Sequence, residues 1–154
     1  MSGADARARR LVIGIGNPSR GDDALGPLAV ERLEALAPPD TEFLTDYQLQ
    51  VEYLLDLKGR EEVIFVDATV KPAVEDFSFL PVRAERDTSY SSHELSPQAL
   101  LAAFERHYDQ APPPCFILAI RGRRFELGEG LSDDSAAGLA QALSFLSRRL
   151  QAPS

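Results

Sequence analysis

A run of branched aliphatic residues that ends at a glycine-containing loop and two adjacent acids most constrains the fold of this chain. Residues 11–16 (LVIGIG) have the apolar character of a buried strand, and Pro18 and Gly21 interrupt the chain after them. Asp22 and Asp23 then precede an amphipathic helical pattern. Ligand sites in parallel α/β sheets form at the carboxyl ends of strands, so this arrangement predicts a functional loop. Asp is also a common helix N-cap, and we expect one of the two acids to have that structural role.

The rest of the chain alternates between short apolar strand patterns and amphipathic helical patterns. The predicted strands are residues 11–16, 41–45, 62–68, 76–82 and 115–120, and the predicted helices are residues 23–37, 50–57, 96–108 and 132–150. This alternation predicts an α/β protein, a single-domain three-layer α/β/α sandwich with a mostly parallel twisted sheet of about five strands. The fourth strand follows a short connection, so we expect it to run antiparallel at an edge.

Composition narrows the class of protein. The formal net charge of -8 argues against nucleic acid and against an anionic membrane surface, because both require a positive face. The single cysteine, Cys115, rules out an internal disulfide and fits a reducing compartment. The apolar run of residues 11–15 is too short for a signal-peptide core or a membrane span. We therefore expect a cytoplasmic protein, with residues 1–10 as a mobile lead and residues 11–150 as the domain.

Acids and a histidine follow strands that should end at one edge of the sheet. Asp67 ends the strand of residues 62–68, so its carboxylate can converge with that of Asp23. His93 lies in a long polar loop, whereas His107 lies near a helix C-terminus and is expected to complement the helix dipole. Taken singly, Asp67 fits a turn residue and His93 fits a surface residue. Together, two carboxylates and an imidazole suit a divalent ion such as zinc or nickel, with coordination positions left for a substrate.

The segment GIGNPSRGDDALGPLAVERL resembles the N-terminal signature of the [NiFe]-hydrogenase maturation endopeptidases. In that signature a strand, Gly-x-Gly-Asn, a short loop, two acids and a further glycine lead into a helix. Four residues fall on it: Asn17, Asp22, Asp23 and Gly26. Further matches are FVDA around Asp67, SxxHxLSP around His93 and the Gly-Leu-Ser that opens the last helix. The resemblance therefore extends over residues 11–150.

The resemblance implies an endopeptidase that removes the C-terminal extension of a nickel–iron hydrogenase large-subunit precursor after nickel insertion. It implies that Asp23, Asp67 and His93 contact the nickel carried by that precursor and act in catalysis. Another divalent metal is the alternative to nickel. Asp22 and Asp46 are candidates for a general base by position alone. Five residues are predicted to contact the precursor: Asp46, Gln48, Gln50, Arg121 and Arg123.

The segment of residues 46–52 departs from the family pattern. Many members have an Asp-Gly-Gly-Thr-like turn there, and the sequence DYQLQVE resembles the branch that serves cytoplasmic NAD(P)-linked bidirectional hydrogenases. Gln48 and Gln50 can donate and accept hydrogen bonds along an extended tail. The structural alternative is that Tyr47, Leu49 and Val51 pack against the start of the second helix.

Three other functions compete with this interpretation. Gly14-x-Gly16 is typical of dinucleotide-binding proteins, but two acids at the helix N-terminus would repel a pyrophosphate. Cys115 suggests a cysteine hydrolase, yet it begins a predicted buried strand and no histidine is obviously supplied to it. A non-catalytic, metal-sensing chaperone of the hydrogenase large subunit is left open by the sequence.

Overall fold

The computed structural model describes residues 7–86 and 95–152, and every structural statement below concerns those residues. Within them, five strands form one sheet in the order β2-β1-β3-β5-β4, with only β4 running antiparallel to its neighbour. The elements are β1 Arg10–Ile15, α1 Leu25–Ala35, β2 Thr41–Asp46, α2 Leu54–Leu57, β3 Glu62–Thr69, β4 Phe77–Pro81, α3 Pro97–Tyr108, β5 Cys115–Arg121 and α4 Asp133–Gln151. The predicted antiparallel edge strand is confirmed.

Two apolar cores lie on opposite faces of the sheet. Val12 and Ile64 point to one face and pack in a cluster with residues of α1 and α4. Ile13 and Phe65, each one position further along, point to the other face and pack with residues of α2 and α3. Successive side chains along each strand point to opposite faces of the sheet, so each face packs against its own layer of helices. The predicted three-layer α/β/α class is confirmed.

Several element boundaries differ from the sequence-based expectation. The predicted helix of residues 50–57 is a 3₁₀ turn, Val51–Tyr53, followed by the four-residue helix α2. β1 begins at Arg10, whose buried guanidinium donates to the Leu150 carbonyl at 3.0 Å and pairs with Glu62 at 3.3 Å. The first predicted helix begins instead as a 3₁₀ turn, Gly21–Ala24, before α1. Residues 1–6 are outside the described ranges, so the mobile lead predicted for residues 1–10 stays a prediction.

The strand order reverses between β1 and β3. The chain leaves β1 through α1 to reach β2 on one side, and later continues to β3 on the other side. This is the point in α/β sheets where ligand crevices form. A Cβ atom on Gly26 would overlap the Ile15 carbonyl oxygen and lie 2.6 Å from that of Val66. The first turn of α1 therefore lies directly over the ends of both strands.

Across the described ranges, we find no helix with the length and apolar character needed to span a lipid bilayer.

Candidate active site

The loop between β1 and α1 folds back on itself and holds Asp23 beside the strand ends. Gly16 has φ 145°, and a Cβ atom there would overlap the main-chain oxygen of Asp23. Only glycine suits this position, for both conformational and steric reasons. The half-buried carboxylate of Asp23 accepts a hydrogen bond from the Asn17 N–H at 2.7 Å. The Asn and the second acid of the sequence signature are thus direct partners.

Asp67 comes to the same edge from the neighbouring strand. It follows Val66 in β3, faces Ala119 of β5 in the register, and its Oδ1 accepts from the Ala68 N–H at 2.8 Å. Since α1 begins over Val66, the loop of Asp23 and the end of β3 adjoin at the reversal of strand order. His93 lies outside the described residues. The cluster of Asp23, Asp67 and His93 therefore stays a prediction, and the described ranges by themselves contain no group of three or more potential metal ligands.

Asp22 is fully buried, and its carboxylate is surrounded by donors. Five donor groups lie within 3.0 Å of it: the main-chain N–H groups of Arg123, Arg124 and Ser132, and the hydroxyls of Ser132 and Ser135. Neither Asp22 nor Asp23 caps the helix that follows, so the N-cap role expected for one of the two acids is wrong. Asp22 reaches across to the start of α4, where Ser132 is the N-cap.

The ionisation of Asp22 follows from these donors. Burial raises its pKa, but the hydrogen bonds from Arg123, Ser132 and Ser135 outweigh burial and lower the pKa from 3.8 to about 2. A carboxylate that is enclosed and so weakly basic cannot accept a proton from water near neutral pH, so the structure excludes Asp22 as a general base. The role of Ser135 was not predicted from the sequence. The only signal for it was the spacing of Ser132 and Ser135 at a helix start.

Asp46 lines an open cleft next to the loop of Asp23. It ends β2, and its main-chain oxygen accepts from the Gly16 N–H at 3.0 Å. Its carboxylate accepts from the Tyr47 N–H at 2.7 Å and from the Tyr53 hydroxyl at 2.8 Å. Burial and this hydrogen bond raise the pKa of Tyr53 to about 12, so the hydroxyl stays a donor. The cleft, of about 190 Å³, is lined by Gly16, Pro18, Pro27, Thr45, Asp46 and Tyr47.

The segment after Asp46 is mostly exposed. Gln48 and Gln50 lie at the surface, whereas Leu49 between them is 4% exposed and packs in the core. Tyr47 is 66% exposed and Val51 is 52% exposed. The structural alternative therefore holds for Leu49 and is wrong for the other two apolar residues. Tyr47 lines the cleft, and Gln48 and Gln50 are exposed in the segment that follows it.

Arg121 and Arg123 contact the connection between β3 and β4. The Arg121 guanidinium donates to the main-chain oxygens of Lys71 and Val74, each at 3.2 Å. The Arg123 guanidinium donates to Glu75 O at 3.2 Å and lies 3.7 Å from Asp134. Arg121 is the last residue of β5 and Arg123 follows that strand, at the same edge as Asp67. Their predicted contact with a precursor stays a prediction.

Cys115 lies at the amino-terminal end of β5, away from the carboxyl ends of the parallel strands where Asp23 and Asp67 are found. It begins β5, is 3% exposed, and its thiol lies 3.2 Å from the Pro113 carbonyl. Burial raises its pKa to about 12, so the reactive thiolate does not form near neutral pH. Position and ionisation both exclude a cysteine nucleophile at the candidate site.

Several solved structures similar to this one are hydrogenase maturation proteases. The chain matches the hydrogenase maturating endopeptidase HybD from E. coli with a TM-score of 0.74 and 26% identity, over 93% of this chain and 92% of that one. It matches the [NiFe] hydrogenase maturation protease HycI from Thermococcus kodakarensis with a TM-score of 0.75 and 22% identity, over 95% and 94% of the two chains. A hydrogenase 2 maturation peptidase from a Thaumarchaeota archaeon matches with a TM-score of 0.65 and 23% identity, over 92% and 97%.

No protein-family model and no curated protein sequence matches the chain. The structural matches nevertheless extend over almost the full length of both partners. They confirm the resemblance to the [NiFe]-hydrogenase maturation endopeptidases, while the hydrogenase branch stays a prediction. In fold and in chain extent, this protein is similar to the [NiFe] hydrogenase maturation proteases.

Proposed function

We propose that this protein is an endopeptidase that removes the C-terminal extension from the precursor of a [NiFe] hydrogenase large subunit after nickel insertion. The observation that supports the proposal is that α1, which follows Asp23, begins with Gly26 packed against the main chain of Val66, the residue before Asp67, in the fold of the hydrogenase maturation proteases. Cytoplasmic location is part of the proposal. It is supported by the one cysteine, which is buried as a thiol.

Nickel enters this proposal as part of the substrate. Main-chain N–H groups orient both acids, Asn17 for Asp23 and Ala68 for Asp67, so each carboxylate is held at the sheet edge. Carboxylate oxygens and the imidazole of His93 form a mixed donor set that suits nickel, or another divalent ion in its place. Contact with the metal would place the scissile peptide where a polarised carbonyl or an oriented water can react.

The cleft beside Asp46 is proposed to hold the precursor tail next to these acids. Tyr47 offers an apolar wall with a polar tip, and Gln48 and Gln50 can pair with the main chain of an extended peptide. Asp46 remains the candidate general base. Arg121 and Arg123 are proposed to add positive charge near the tail, in addition to their contacts with residues 71–75.

The decisive experiment is to incubate the protein with nickel-loaded and nickel-free precursor and to detect the released peptide by mass spectrometry. We expect cleavage of the loaded form only. Asp23→Ala, Asp67→Ala and His93→Ala should each abolish release, whereas Glu105→Ala, which removes an exposed acid of α3, should cleave like the wild type. Tight binding of loaded precursor without any cleavage would contradict the proposal and would favour the metal-sensing chaperone.

Residues 46–52 are proposed to select a precursor of the NAD(P)-linked bidirectional class. Replacing them with an Asp-Gly-Gly-Thr-type turn should lower cleavage of that precursor relative to one from another hydrogenase class. Since Leu49 is part of the core, the replacement should keep an apolar residue at its position. If discrimination is unaltered in a folded and active variant, the segment serves only as scaffold.

A further inference from the structure

The buried carboxylate of Asp22 joins the loop that carries Asp23 to the amino-terminal end of α4. Its Oδ2 accepts from the main-chain N–H groups of Arg123 at 2.7 Å and Arg124 at 3.0 Å, and its Oδ1 accepts from that of Ser132 at 2.8 Å. The hydroxyls of Ser132 and Ser135 each lie 2.8 Å from Oδ2. One side chain thus connects the loop after β1 to residues 123–124 and to residues 132–135, which lie more than a hundred positions later in the chain.

The main chain around Asp22 is fixed on the same side. The Asp22 N–H donates to Arg124 O at 2.7 Å, and the Gly21 N–H donates to Glu129 O at 3.1 Å. Gly122 packs so closely that a Cβ atom on it would lie 3.1 Å from Cβ of Asp22. The loop after β1 and the loop after β5 therefore form one rigid unit at this point.

Asp23 lies between two anchors. The first anchor is the neighbouring residue Asp22, to which Asp23 is joined by a peptide bond. The second is the hydrogen bond that the Asp23 carboxylate accepts from the Asn17 N–H. Without the Asp22 carboxylate contacts, the main-chain hydrogen bonds of Gly21 and Asp22 would be left to hold the 3₁₀ turn against the loop after β5, since no side-chain cap is present at the start of that turn within the described residues. The turn could then shift more easily relative to the sheet. The hydrogen bond between Asn17 and Asp23 would then open more often.

We infer that Asp22 is a positioning residue that holds the Asp23 carboxylate at the reversal of strand order, through Ser132, Ser135 and the start of α4. The expected effect of Asp22 on cleavage rests on the proposed function. The expected effect of Asp22 on the hydrogen bond between Asn17 and Asp23 does not depend on that function. Displacing Asp23 should lower kcat more than it raises KM, because the tail still binds in the cleft beside Asp46.

The test uses two variants of the hydroxyl that contacts Asp22. Ser132→Ala removes the hydroxyl, whereas Ser132→Thr keeps it and also keeps a good helix cap. Amide hydrogen exchange of Asn17, measured by NMR, reports the bond to Asp23 without any substrate. We expect Ser132→Ala to speed the exchange of the Asn17 amide by about tenfold and to lower kcat by about tenfold, because a hydrogen bond to a charged group is lost. Ser132→Thr should restore both.

Ser135→Ala provides a second variant, because Ser132 is the N-cap of α4 and its substitution can also alter the start of that helix. Ser147→Ala is the matched control, since within the described part of the chain its hydroxyl donates only to Ser144 O, at 3.3 Å, near the other end of the same helix. Exchange of the amides in β3 checks that each variant stays folded.

Faster exchange at Asn17 with lower kcat in Ser132→Ala and Ser135→Ala supports the inference. Unchanged exchange at Asn17 in both folded variants overturns it, and so does faster exchange with unchanged kcat. If the wild type cleaves no precursor at all, the proposed function fails. Asn17 exchange alone then decides whether Asp22 positions Asp23.

Discussion

The main-chain oxygen of Asp23 lies so close to Gly16 that a methyl group on residue 16 would overlap it. This contact makes the glycine at the end of β1 a structural requirement of the candidate site. The chain must turn back over its own strand to bring Asp23 to the sheet edge. No residue with a Cβ atom allows that path without moving the acid.

Gly16→Ala should therefore lower the free energy of unfolding and abolish precursor cleavage. Strain at φ 145° and the overlap with Asp23 together should cost about 3 kcal/mol. Urea denaturation measures the loss. The matched control is Gly130→Ala, where a Cβ atom meets nothing within 4 Å, and its change should stay within about 0.5 kcal/mol. Equal stability of the two variants would contradict the geometry at residue 16.

Asp22 should make the protein sensitive to acid in a narrow pH window. Its folded-state pKa of about 2 lies below the ordinary 3.8, so the ionised carboxylate stabilises the folded state above about pH 4. That contribution, about 2 kcal/mol, should be lost as the pH falls from 4 towards 2. Urea denaturation between pH 2 and pH 6 measures it.

The Asp22→Asn variant should not show the loss of stability between pH 4 and pH 2 that is due to Asp22. Its free energy of unfolding should already be lower than that of the wild type at pH 7. An amide would oppose the donors of Arg123, Ser132 and Ser135, at a cost of about 3 kcal/mol. Asp134→Asn is the control, because that acid is exposed and should leave the acid window unchanged. An identical pH profile in Asp22→Asn and the wild type would show that other acids account for the window.

Cys115 should resist thiol reagents in the folded protein. Its pKa of about 12 and its burial both keep the thiol protonated and inaccessible. Labelling with a disulfide reagent should therefore require denaturant, and Cys115→Ala should cleave precursor like the wild type while losing about 1 kcal/mol of stability. Rapid labelling under native conditions, or an inactive but folded Cys115→Ala, would disagree with the described packing.

Charge reversal at Arg121 and Arg123 separates a substrate role from a purely structural one. Glutamate at both positions should weaken precursor binding by about tenfold at low salt, and the difference should shrink as salt screens the charges. Arg148→Glu, at the exposed far end of α4, is the control for overall charge. Lower thermal stability with unchanged binding at low salt would leave only the contacts to Lys71, Val74 and Glu75.

The sequence by itself determined the class of fold and the identity of two candidate acids. Strand periodicity is local, so residues 62–68 could be read as a buried strand that ends at Asp67. The signature from Gly14 to Gly26 likewise contains its own turn, because glycine and proline act on the backbone at their own positions. These properties need no knowledge of distant contacts.

The tertiary structure decided which acid serves which purpose. Asp22 and Asp23 are adjacent and chemically identical in the sequence, and both were plausible for chemistry. Asp22 meets donors from residues more than a hundred positions away, at Arg123 and Ser132, and becomes a buried anchor. Asp23 meets Asn17 and stays half-buried at the sheet edge. Hydrogen-bond partners distant in the chain set a side chain's burial and pKa, and sequence patterns cannot supply them.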